Sequence, residues 1–92
     1  MNEKRLKKIL TLFVEESAEV IKEICKIDHH GIDSYNPVTG VANVDALHTE
    51  LVDLLVIIEL LNEEVPITND AYNSMRGVKL EKLKKWHPDL FD

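Results

Sequence analysis

Between Val44 and Leu61 the chain carries apolar residues on almost every face of one helical run, and this constrains the fold more than any other part of its ninety-two residues. Val44, Leu47, Leu51, Leu54, Leu55, Ile58 and Leu61 recur at helical spacing and form a main face, while Val52, Val56, Ile57 and Leu60 cover most of the remainder. A helix apolar nearly all round must be buried nearly all round. A chain this short holds few elements to cover it, and a lone core of this size gives limited stability, so the expected cover is a second copy of the chain. Asn43 is expected to cap this helix, Asp45 to complement its dipole, and Glu63 to lie near its end.

The flanking segments also read as helical. From about Glu3 to about Ile27, Leu6, Leu10, Phe13, Ser17, Val20, Ile24 and Ile27 alternate steps of four and three and make one seam. Beside it runs a second stripe, Leu12, Glu16, Glu19 and Glu23, which turns acidic. A loop from Asp28 to Ala42 follows, punctuated by Gly31, Asn36-Pro37 and Gly40; its length suits a binding loop or a plain hairpin connector equally. Pro66 stops the second helix, Thr68 can cap a third, and Pro88 stops that one after about Trp86. Gly77 is a place where the third helix could kink or divide. Its few apolar positions, Ala71, Met75, Val78 and Leu83, suggest a surface helix laid over the first two. No strand pattern or repeat is evident, so the expected fold is an all-α single domain over residues 1–92: a helical hairpin plus a third helix, completed by dimerisation.

Charge and cysteine usage exclude several classes of function. The net charge of −6 argues against a general nucleic-acid binder, although Lys and Arg crowd both ends of the chain. The single cysteine, Cys25, cannot form an internal disulfide and resembles a small buried apolar residue, which suits a reducing cytoplasm. The N-terminus shows no signal-like apolar block. The longest apolar run, Leu54 to Ile58, is far below the ~20 residues of a membrane span, so no membrane partner is expected.

Chemistry enters with the acids. From Leu51 to Ile58 only Asp53 interrupts the apolar run, and it stands three residues after Glu50; Glu16 and Glu19 form a second such pair inside Glu15-Glu16-Ser17-Ala18-Glu19. Residues three apart share a helix face, so each pair points two carboxylates one way. Glu16 with Glu19, taken alone, reads as a solvated face. Asp53 is different, because a carboxylate in a sheathed helix needs a cation, either a metal or a Lys or Arg partner. If the first two helices pack antiparallel, four carboxylates converge on one cavity. Such hard ligands suit Mg²⁺, Mn²⁺ or Ca²⁺ rather than zinc, and their number suits two ions completed by phosphate oxygens and water.

The order of these motifs resembles a known family. A Glu-Glu-x-x-Glu helix, a Gly- and Pro-containing loop and then Glu-x-x-Asp in an apolar helix is similar to the all-alpha nucleoside triphosphate pyrophosphohydrolase superfamily, the MazG-like proteins in particular. The tract from Gly31 to Gly40, followed by Asn43 and Glu50-x-x-Asp53-Leu-Leu, is similar to small stand-alone MazG-like chains. The likeness spans about Glu15 to Leu61, with an echo in Lys79-x-x-Lys82. It implies hydrolysis of a (d)NTP between the α and β phosphates to a nucleoside monophosphate and pyrophosphate. It also implies Glu16, Glu19, Glu50 and Asp53 as ligands of Mg²⁺, or of Mn²⁺, with Glu15 a secondary candidate. Ions held there would lower the pKa of an attacking water, and Glu19 or Glu23 could accept its proton.

Cations on the third helix would complete such a site. Lys79 and Lys82 share a face with Arg76, positioned to meet a phosphate opposite the metals, and Asn73 and Tyr72 could touch sugar or base. Lys84 and Lys85 read as an ordinary solvated face. His29 and His30 suit the helix dipole at the end of the first helix, His48 is a flank, and Trp86 is expected to pin the C-terminal tail. The expected assembly is a homodimer or a dimer of dimers with sites beneath the second and third helices. Two rivals stand beside this reading: phosphoribosyl-ATP pyrophosphohydrolase, which shares the acid layout, and a non-catalytic helical dimerisation module.

Overall fold

The computed structural model describes all 92 residues, in three α-helices and a short 3₁₀ turn at Pro88–Phe91. Helix α1 (Glu3–His30) starts at Asn2, whose side chain accepts a hydrogen bond from the Arg5 amide at 3.0 Å. It runs three residues past Ile27 because Asp28, His29 and His30 offer no breaker. Gly31, at φ +95°, is the first residue free to turn away, and its N–H closes the helix on the Ile27 carbonyl.

Helix α2 (Asn43–Glu64) packs antiparallel on α1. Asn43 is not its cap. Ala42 occupies that position without a side-chain bond, while Asn43 is buried and its Nδ2 donates to Ser34 Oγ at 2.8 Å. The loop needs this amide for its own closure, and that use displaces capping.

The α1–α2 interface takes in most of the seam that the apolar spacing of α1 favours, Leu6, Phe13, Ser17, Val20 and Ile27, together with part of the stripe beside it. Ile9 and Val20 are buried and Leu12, Phe13 and Ile27 half-buried, whereas Leu10 and Ile24 stay exposed. The stripe that begins at Leu12 turns inward, and carries Glu16 and the buried Glu23 against α2. On α2 the inward series is Asn43, Leu47, Glu50, Leu54, Ile57 and Leu61, leaving Val52, Leu55, Val56 and Ile58 exposed. Each helix thus spends one apolar stripe on the hairpin and keeps another outside.

Helix α3 (Asn69–Trp86) is capped by Thr68, which accepts from the Ala71 amide at 3.1 Å, and it runs unbroken through Gly77. It is not laid over the hairpin: it contacts neither α1 nor α2, and packs only with the 3₁₀ turn. Ala71, Met75 and Val78 fall at helical spacing, but the row is short and stops at Lys82, and Met75 and Val78 remain exposed. Trp86 is also exposed, under the Lys85 ammonium, and the tail is held instead by its 3₁₀ turn, where Lys84 stands over the Phe91 ring. Cys25 is exposed rather than buried. No helix is long and apolar enough to cross a membrane.

The result is a slab of 44 × 39 × 15 Å with 7477 Å² of accessible surface. A compact monomer of 10.6 kDa should expose about 5,500 Å², so this chain exposes about 2,000 Å² more than its mass requires.

The open end of the hairpin is tied by charge. Arg5 forks onto Glu63 at 2.6 Å and Glu64 at 2.7 Å, and Glu64 also accepts from the Asn2 amide. The Arg5 hydrogen bond, then that of Asn2, holds the Glu64 carboxyl below the usual carboxylate range and leaves the Arg5 guanidinium raised. A depressed carboxyl stabilises the fold above its unfolded pKa and loses that contribution as pH falls through its folded value. Arg5→Ala is therefore expected to lower the melting temperature by a few degrees at neutral pH. Melting curves from neutral pH down to below the carboxylate range should show the two proteins converge as Glu64 protonates.

Candidate metal centre

Helix register builds the centre. Because Arg5 meets Glu64 across the antiparallel pair, one-for-one counting along the helices brings Glu16 opposite Asp53, and Glu19 opposite Glu50. Carboxylate oxygens of Glu16, Glu50 and Asp53 all lie within 4.8 Å of one another. None of the three joins an ion pair, so the alternative of a Lys or Arg partner for Asp53 is not what the chain adopts.

Burial falls differently from the sequence expectation. Asp53 is exposed while Glu16 and Glu50 are half-buried, because α2 turns position 50 toward α1 and position 53 toward the rim. Burial, then the charges of Asp53, Glu16, Glu19 and Glu23, pushes the Glu50 carboxyl above its ordinary range. Glu19 is exposed and outside the close trio, but near enough to act on Glu50. Glu15 is exposed. Glu23 is buried, gives one oxygen to Lys26 Nζ at 3.1 Å and leaves Oε2 buried with no hydrogen bond.

The donor set fits a hard divalent cation. All three groups supply carboxylate oxygen, and two oxygens on one Mg²⁺ at about 2.1 Å lie roughly 3–4 Å apart, so small side-chain rotations suffice to close the trio.

The chain matches no protein-family model, no curated protein and no solved structure.

The basic residues do not reach this centre within one chain. Arg76, Lys79, Lys82 and Asn73 all belong to α3, which stands clear of the hairpin; Asn73 and Lys82 border a shallow surface groove along α3 itself. A site beneath α2 and α3 of the same chain is therefore absent. The cation that does stand near the acids is Lys26, which sequence reasoning does not single out. Its only signal there is the i,i+3 spacing from Glu23.

The loop between α1 and α2 is a small hydrogen-bonded hairpin. Asn36 N–H donates to the Val41 carbonyl, Asn43 N–H to that of Ser34, and Gly40, at φ +76°, closes the turn onto Asn36. Asn36 Oδ1 accepts from the Val38 and Thr39 amides, which is why Asn-Pro starts the turn.

Proposed function

We propose that this chain is a MazG-like, Mg²⁺-dependent nucleoside triphosphate pyrophosphohydrolase that works as a homo-oligomer in the cytoplasm, on free nucleotides rather than nucleic acid. The observation that carries this reading is the unpaired trio Glu16, Glu50 and Asp53, converging from the two motifs whose order resembles that family.

Glu16, Glu50 and Asp53 would hold the ion, with Glu19 at the rim as a further ligand. Mg²⁺, or Mn²⁺, bound there would neutralise the triphosphate and acidify an attacking water. The protein's own groups then bind and move a proton. Glu23, with one oxygen unpartnered and buried, and the exposed Glu19 are the two acceptors within the acidic stripe. Arg76, Lys79, Lys82 and Asn73 would meet the phosphates and sugar from the α3 of a second copy, since their own α3 stands away from their own acids.

Incubating the purified chain with Mg²⁺ and each common NTP and dNTP tests the reading. Pyrophosphate and nucleoside monophosphate should appear in equal amounts, and chelation should stop the reaction. Release of orthophosphate and diphosphate instead would place cleavage at the β–γ bond. No cleavage of any triphosphate would leave the dimerisation module as the better account.

A further inference from the structure

A recess of about 150 Å³ opens where the end of α1, the loop hairpin and the start of α2 meet, lined by Lys26, His30, Tyr35, Asn36, Pro37 and Asn43. Whole-ligand pockets run to about 300–1,000 Å³, so this one has room for a single ring rather than for a nucleotide. Its two amides have fixed orientations. Asn43 Nδ2 is committed to Ser34 Oγ, which leaves Oδ1, on a side chain that is buried, as an acceptor without a hydrogen bond from the chain. Asn36 Oδ1 is committed to two backbone amides of the turn, which leaves its Nδ2 as a free donor. Hydrogen-bond commitments of this kind settle which way an amide faces.

A free donor and a free acceptor in one small recess, beside the Tyr35 ring, match the edge and face of a nucleobase. Tyr35 is 65% exposed, so its ring is not needed for the core and is available to stack. Distance agrees. From Asn43 to Glu50 is seven residues along α2, about 10 Å of helix rise, which is the span from a base to the middle of an extended triphosphate. Lys26 lines the recess level with Asn43 and reaches back to Glu23, one turn nearer the acid trio.

We infer that this recess is the nucleobase subsite: Tyr35 stacks on the ring, Asn36 Nδ2 and Asn43 Oδ1 read its edge, and the triphosphate runs along α2 to the acid trio. The inference rests on the pyrophosphohydrolase reading for the direction of the triphosphate. The recess itself does not depend on it.

The test compares kcat/KM for each NTP and dNTP with that for inorganic tripolyphosphate, which has no base, in the full chain with Mg²⁺. The preferred nucleotide should exceed tripolyphosphate. That ratio should fall roughly tenfold in Tyr35→Ala, as loss of one base–aromatic stack does, and return in Tyr35→Phe. Asn36→Asp keeps the turn bonds through its remaining oxygens but loses the donor, so it should reorder preference among the bases. A wild-type chain that treats tripolyphosphate and nucleotides alike, or ratios and preferences unchanged in both variants, overturns the subsite while leaving the pyrophosphohydrolase reading standing. If the wild type cleaves no triphosphate, that reading fails and the recess is judged alone, by titrating nucleoside monophosphates and following the Asn36 and Asn43 side-chain amides by NMR. Saturable shifts lost in Tyr35→Ala support the subsite, and no shift at millimolar nucleotide overturns it.

Discussion

Glu50→Gln is expected to abolish pyrophosphate release while making the metal-free protein harder to melt. Glu50 is half-buried, as Glu16 is, and its carboxyl is raised first by burial and then by Asp53, Glu16, Glu19 and Glu23. A carboxyl raised on folding contributes its stability below the unfolded pKa and loses it as pH rises through the folded value. At neutral pH an ionised Glu50 therefore opposes folding unless a cation offsets it. Glutamine keeps the shape and removes the charge, so the melting temperature in chelator should rise, and the further rise on adding Mg²⁺ should largely vanish. Loss of a metal ligand removes several kcal/mol of charge stabilisation in the transition state, which at 1.36 kcal/mol per decade is at least about a hundredfold in rate. Asp53→Asn should lose activity to a similar extent with little change in the metal-free melt, because Asp53 is exposed. A Glu50→Gln protein that still releases pyrophosphate and is still stabilised by Mg²⁺ would show that the trio is not the metal site.

These two variants separate because of a distinction that spacing alone does not carry. The i,i+3 separations of Glu16 from Glu19 and of Glu50 from Asp53 are properties of the chain, and they foretell that acids will share faces. Which of them is desolvated depends on the rotation of α2 against α1. That rotation is decided by which of two apolar stripes each helix commits to the hairpin. On α1 the seam turns Leu6, Phe13, Val20 and Ile27 inward as its spacing foretells, but the interface centres to one side of it, so Ile9, Glu16 and Glu23 also turn in while Leu10 and Ile24 face out. The helix ends were far more legible. Pro66, Thr68 and Pro88 act through their own backbone geometry and need no tertiary partner. Asn43 shows the limit of that rule: it has a capping side chain, and the loop hairpin takes it for Ser34.

The position of α3 was illegible for a related reason. Its apolar residues are sparse, and the row Ala71, Met75 and Val78 stops at Lys82, so its pattern is too short to select a face of the hairpin in the same chain. The recess beside Tyr35 was half legible. Gly31, Asn36-Pro37 and Gly40 mark a loop whose length suits binding and a plain connector equally, and the two amides become a donor and an acceptor only once the turn has claimed their other ends.

In solution the chain is expected to be a dimer or a multiple of one, and a single charge on the outer stripe of α2 should dismantle it. Only Ile9 and Val20 are buried apolar residues within the chain, which is far too small a core for a domain of this length. Its exposed surface exceeds that of a compact monomer by about 2,000 Å², which on each of two partners matches the 2,000–5,000 Å² totals of obligate homodimers. Leu55, 56% exposed in the single chain, separates the alternatives. In a monomer Leu55→Arg is a surface change worth within about 0.5 kcal/mol and should leave helicity untouched. In an oligomer it forces an unpaired charge into an apolar interface, which costs several kcal/mol and strands the remaining stripe in water. The variant should therefore lose mass by light scattering and helical signal by circular dichroism together, and the wild-type melting temperature should rise with protein concentration. A wild-type mass of one chain at micromolar concentration, with Leu55→Arg unchanged in both readouts, would sink the oligomer. It would also leave Arg76, Lys79 and Lys82 with no route to the acids, since no second α3 would be present to carry them there.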